Sequence, residues 1–138
     1  MAEIRESQSP AARESRRILV VDDNADAADS LGMLLQVRGE QVRVAYDGQE
    51  ALRLAGDFDP EVVLLDIGMP KISGYDVARR LREARGDSVF IIAISGWGQE
   101  GDRKRAHESG FDHHFTKPVN IEALVALIDS RTPRPSAK

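Results

Sequence analysis

Cysteine is absent from this 138-residue chain, which excludes disulfides, thiolate metal sites and cysteine nucleophiles and is compatible with a reducing compartment. Long apolar runs are absent too. Nothing approaches the roughly 18–20 residues of a membrane span, and the N-terminus, "MAEIRESQSPAARESRR", has no apolar core of signal-peptide type. Nor is there an excess of positive charge. Lysine and arginine number 19 against 23 aspartates and glutamates, a net of −4, so general attraction to nucleic acid or to an anionic membrane is not built into the composition. These absences point to a soluble, cytoplasmic protein with no nucleic-acid partner and no membrane insertion.

What remains suits one domain, since single domains run to about 100–200 residues. Residues 1–15 are polar, charged and broken by Pro10, and read as a disordered extension or linker. Residues 131–138, "RTPRPSAK", read as a flexible tail, leaving 16–130 as the foldable unit.

Within that unit two periodicities alternate. "RILVV" is a strand too short for a helix, and from Asn24, a candidate N-cap, the apolar positions Ala27, Ala28, Leu31, Leu34 and Leu35 take helical steps up to the terminator Gly39. "QVRVAY" alternates as a strand, "GQEALRLAG" is a short amphipathic helix, and "EVVLLD" is the continuous apolar run of a strand buried on both faces. Ser73 is placed to cap "GYDVARRLREARG", with Val77, Ala78 and Leu81 on one face, and "SVFIIAIS" is a further apolar strand. "DRKRAHESG" carries a single apolar residue, Ala106, and predicts a weakly anchored fourth helix. "DHHFTKPV" holds a short last strand and "NIEALVALIDS" a final amphipathic helix. Five strand–helix pairs imply an α/β fold, a parallel sheet with helices on both faces.

Ligands of such sheets bind outside the carboxyl ends of the strands. The residues at those ends are Asp22 and Asp23 after the first strand, Asp66 at the end of the third, Ser95 at the fourth and Lys117 at the fifth. If strands one and three are neighbours, about 4.8 Å apart, three carboxylates gather, and they repel unless a cation joins them. Such an oxygen-rich set suits Mg²⁺. Lys117 and Ser95 add an ammonium and a hydroxyl suited to phosphoryl oxygens. Each residue alone is ordinary turn or cap chemistry; their joint placement at one edge of the sheet is what carries the argument.

"ILVVDDN", "VVLLDIGMP", "IIAISG" and "FTKP", in this order and spacing, resemble the receiver (CheY-like) domain of two-component response regulators, over roughly Arg16 to Ser130. The resemblance implies a flavodoxin-like, doubly wound (βα)5 sandwich with strand order 2-1-3-4-5. It also implies that Asp66 is the phosphoacceptor, supplied by a sensor histidine kinase or histidine phosphotransfer protein. Asp22, Asp23, Asp66 and the backbone carbonyl of Gly68 would then hold Mg²⁺, and Ser95 and Lys117 would receive the phosphoryl oxygens. The family's usual cis bond falls before Pro118.

In the family, the hydroxyl residue and an aromatic on the fifth strand switch together, altering a surface of the fourth helix, fifth strand and fifth helix that meets a downstream protein. Here the aromatic position holds His114, so the switch expected is Ser95 with an imidazole. The segment Arg103 to Glu108 is expected to move on phosphorylation, and Gly68 and Trp97 offer no acid or amide to orient water, so strong self-dephosphorylation is not expected. His107, His113 and His114 are read as surface or switch residues, with a metal site disfavoured because His113 and His114 would point to opposite faces. Trp97 is equally a partner anchor or a loop lid.

The protein is therefore expected to catalyse its own phosphorylation without acting as an enzyme on an external substrate. Two other classes compete: a Mg²⁺-dependent aspartyl-phosphate phosphohydrolase, against which stand Gly68 in place of a second acid and the lack of a cap domain, and a receiver-fold interaction module without phosphotransfer. Only eight residues follow Ser130, so no DNA-binding output domain is expected. A single-domain regulator and a receiver belonging to a hybrid sensor kinase both fit, with homodimerisation left open.

Overall fold

Where apolar residues run without interruption, the strand is buried on both sides: every residue of β3 (Val62–Asp66) and of β4 (Phe90–Ser95) is buried. The computed structural model describes residues 15–69, 71–96 and 110–131. Along them run β1 (Arg17–Val21), α1 (Ala25–Val37), β2 (Gln41–Ala45), α2 (Gly48–Phe58), β3, α3 (Gly74–Arg85), a 3-10 turn (Gly86–Ser88), β4, β5 (His113–Thr116) and α4 (Ile121–Arg131). The fourth helix expected from the sequence, with His107, lies outside the described residues, as do Trp97, Pro70, most of the N-terminal extension and most of the tail. The fifth predicted helix is therefore α4 here.

The five strands form one parallel sheet in the order β2-β1-β3-β4-β5. Pleating sends alternate side chains to opposite faces, so two cores result. Leu19, Val63, Leu65 and Ile91 meet Ala51 and Ala55 of α2 and Val77, Ala78 and Leu81 of α3. Ile18, Val20, Leu64 and Ile92 meet Ala28 and Leu35 of α1 and Leu124 and Ile128 of α4. Each fully buried large side chain contributes roughly 1.5–3 kcal/mol.

The helix boundaries follow their capping chemistry. The Asn24 side chain accepts from the amide of Ala27, Asp47 from that of Glu50 and Ser73 from that of Asp76. After α1 the chain turns through Gly39 at φ 99°. Helix α1 departs from its sequence pattern in one respect: Leu34, one of the periodic apolar positions, is 46% exposed, alongside Met33 and Val37. The cause is Gly32, where a Cβ would lie 3.1 Å from Val44, so the face turned to the sheet is Ala28, Gly32 and Leu35. No helix among the described residues is long and apolar enough to cross a membrane.

Candidate functional site

Because every strand is parallel, all five finish at one end of the sheet, and the polar residues there converge. The β1–β3 pairing aligns Val21 with Leu65, one residue before Asp22 and Asp66. One carboxylate oxygen from each of Asp22, Asp23 and Asp66 lies within 4.8 Å of the others, with Asp22 and Asp66 buried and Asp23 exposed. Lys117 Nζ stands 3.2 Å from Asp22 Oδ2 and 3.6 Å from Asp66 Oδ2. The Lys117–Pro118 peptide is cis.

Local backbone positions these groups. The amide of Asn24 donates to Asp22 Oδ1 at 3.0 Å and that of Gly68 to Asp66 Oδ1 at 2.9 Å, so each buried acid is oriented by an amide two residues on. Gly74, at the start of α3, presses on the same turn: a Cβ there would lie 2.5 Å from Ile67 Cα and 2.6 Å from the Asp66 carbonyl oxygen. Sequence reasoning missed this residue, although a glycine directly after an N-cap, where it weakens the helix, was a signal.

Burial pushes the Asp66 carboxyl up to about 6; the Gly68 amide pulls it back, Asp22 adds to the rise through contact and charge, and Lys117 opposes it. For Lys117, burial works against the charge but is outweighed by Asp66 and Asp22, so its pKa is raised. Three acids and one base thus leave an excess of negative charge in a partly buried setting, and the carboxylate oxygens are a donor set that fits a hard divalent cation. A bound divalent cation would relieve that excess.

Ser95 is fully buried, and its Oγ lies 2.7 Å from Nε2 of His114, a contact that spacing alone did not disclose. His113 points to the other side of β5 and is exposed, its ring 5.2 Å from that of Phe115. Among the described residues, the acids rather than histidines make up the group able to hold a metal. Beside the acids opens a largely apolar groove of about 570 Å³ between Leu31 and Leu34 of α1 and Pro118, Val119 and Ile121.

Comparisons with known proteins agree with this geometry. A family profile described as the response regulator receiver domain matches residues 18–129. The chain is 38% identical over 112 residues to an uncharacterized 14.6 kDa protein of Leptolyngbya boryana, covering 80% of this chain and 86% of that one. It is 39% identical over 114 residues to the transcriptional regulatory protein PrrA of Mycobacterium tuberculosis, covering 83% of this chain but 48% of the regulator, so it spans about half the length of such relatives. Among solved structures, a CheY-like receiver domain protein of Methanospirillum hungatei superposes with a TM-score of 0.79 at 26% identity, covering 85% of this chain and 93% of that one.

Proposed function

The chain belongs to the response regulator receiver family, and from that premise we propose that Asp66 is its phosphoacceptor and that residues 16–130 form the signalling unit. The observation that carries this reading is the buried carboxylate of Asp66, held within 4.8 Å of Asp22 and Asp23 and 3.6 Å from the Lys117 ammonium. Receiver domains of this family interact with histidine kinases. For this chain the donor is a phosphohistidine on a sensor kinase or phosphotransfer protein, presented along the groove beside α1. The phosphorus–nitrogen bond of the donor breaks as an Asp66 oxygen bonds to phosphorus, and the electron pair returns to the imidazole nitrogen, which takes up a proton.

Asp22, Asp23, Asp66 and the Gly68 carbonyl would hold Mg²⁺, which when bound supplies positive charge for the carboxylates and phosphoryl oxygens. Lys117 contributes a fixed ammonium, and Ser95 a hydroxyl donor, to the same oxygens. The dephosphorylated donor departs and the phosphoryl group stays on Asp66: the domain promotes its own modification in the cytoplasm, and its output is a changed surface around β5 and α4 that meets a downstream protein. Acetyl phosphate with Mg²⁺ tests this. Labelling of the wild-type chain that disappears in Asp66→Ala is expected; equal labelling of the variant would sink the assignment.

A further inference from the structure

The corner between β2 and α2 supplies none of the candidate ligands, but it touches both halves of the site. On one side the Ala45 carbonyl accepts the amide of Asp22 at 3.1 Å. On the other, Gly48, buried and first in α2, lies against Ile72 in the loop that follows Asp66. A Cβ on Gly48 would stand 2.9 Å from Ile72 Cβ and 3.0 Å from the Ile72 carbonyl oxygen, closer than side chains pack without a backbone shift. Gly48 does not hold a positive φ, so what requires glycine there is room and not backbone freedom. Neither body gives way easily. In the corner, Asp47 Oδ1 accepts the amide of Glu50 and Glu50 Oε1 accepts the amide of Tyr46, both at 2.8 Å, a reciprocal cap. In the loop, Ile67 and Met69 are buried and the Ile67 amide donates to the Ile94 carbonyl at 3.1 Å.

We propose that Gly48 is a positioning residue for the metal site: by letting α2 seat directly on Ile72, it sets the loop that carries Gly68 against the Asp22 side of the cluster. This deepens the reading of Asp22, Asp23, Asp66 and the Gly68 carbonyl as Mg²⁺ ligands and rests on it. A methyl group at position 48 pushes either the corner or the loop outward. The corner is bonded to the Asp22 backbone and the loop continues from Asp66, so either movement changes the spacing between ligands and not merely the packing behind them. Mg²⁺ tolerates such a change poorly, because it demands a near-ideal octahedron with short bonds.

Mg²⁺ titration of the full chain, followed through the amide resonances of Asp23 and Gly68, provides the test, with urea unfolding of the metal-free protein measured beside it. Gly48→Ala is expected to weaken Mg²⁺ binding roughly three- to tenfold, short of the roughly 10–100-fold that follows loss of a group bonded directly to a metal ligand. The Gly68 amide should already be displaced in the metal-free variant. Gly56→Ala places its methyl group on the same helix with nothing within 4 Å; it is expected to raise stability through helix propensity and to keep the wild-type Mg²⁺ affinity. Ile72→Ala loosens the same contact from the loop's side without adding a clash, so it carries the test if Gly48→Ala does not fold, and weaker Mg²⁺ binding is expected. A wild-type affinity in folded Gly48→Ala, whatever its stability, a wild-type affinity in Ile72→Ala, or an equal loss in Gly56→Ala would each overturn the positioning role while leaving the acids as the metal site. Failure of the wild type to bind Mg²⁺ at all would overturn both.

Discussion

Strand β1 has a partly buried charge cluster at each end, and the two are built on opposite lines. Just before it, Arg16 is fully buried; its Nη2 bonds Asp129 Oδ1 at 2.7 Å and also reaches Glu40, whose Oε1 accepts the Arg16 amide at 2.8 Å. Burial works against the charge of Arg16, but hydrogen bonds to Glu40 and Asp129 outweigh it and raise its pKa. Just after β1, Asp22 joins Asp23 and Asp66 around one lysine, and Asp66 is pushed up to about 6. The first cluster joins β1, the turn before β2 and α4 through satisfied groups. The second holds a negative excess that a cation and a phosphoryl group would relieve. A fold can carry unbalanced charge where it needs chemistry if the rest of the framework is well paired.

The largest expected effect comes from breaking the balanced end. Arg16→Met leaves Glu40 buried without its guanidinium, and loss of about 3–5 kcal/mol in urea unfolding is expected, with acetyl phosphate labelling per folded molecule unchanged. A cost under about 1 kcal/mol would mean that this cluster is no more integral than a surface pair. Next comes a steric change at the site end. Gly74→Ala forces a methyl group against the Asp66 carbonyl, and about 2–3 kcal/mol of destabilisation is expected from such overpacking, this time together with weaker labelling because the turn that carries Asp66, the proposed acceptor, must shift.

Neutralising the unbalanced end should have the opposite sign. The Asp66 pKa is raised from 3.8 to about 6, so the folded state holds this proton more firmly than the unfolded chain does. The favourable contribution is complete below about pH 4 and is lost as pH rises through about 6. At pH 7 the ionised carboxylate therefore strains the metal-free fold, and Asp66→Asn should stabilise it by about 1–2 kcal/mol. The gain should shrink towards zero near pH 4 and also when Mg²⁺ is added. Thermal unfolding across that pH range, with and without the metal, reads both trends; a gain independent of pH would remove the charge argument.

The two ends also differ in how much of them the sequence disclosed. The site end was legible because parallel strands turn order along the chain into a shared edge: Asp22, Asp66, Ser95 and Lys117 each end or directly follow a strand, so identifying the strands located the residues. The caps Asn24 and Ser73 were legible for the same local reason. Hidden were contacts between elements with no fixed spacing. Arg16 and Glu40 are 24 residues apart and Arg16 and Asp129 are 113 apart, and nothing in their local sequence tells that the fold buries Arg16 and Glu40 while Asp129 stays half-exposed. The Ser95–His114 bond depends on the β4–β5 register, which sets Ser95 against Thr116 and which periodicity does not determine. Leu34 was misleading because helical period alone does not tell which of two adjacent apolar stripes the close approach of Gly32 turns inward.

The smallest effect offers the sharpest control. Arg38 and Glu122 also pair α1's end with α4, at 3.1 Å, but with side chains 38% and 85% exposed. They too join an arginine to α4, at its first turn where Asp129 lies in its last, with the same charges and a comparable distance, and differ chiefly in the burial of the arginine. Water already solvates both partners, so Arg38→Gln removes little beyond a screened attraction, and a loss of about 0.2–0.5 kcal/mol is expected, vanishing in about 1 M salt where the screening length falls to roughly 3 Å. The loss in Arg16→Met should survive the same salt, because its cost lies in desolvated Glu40 rather than in long-range attraction. If high salt erased both losses alike, burial would not be what distinguishes the two pairs, and the contrast between the ends of β1 would reduce to a count of charges.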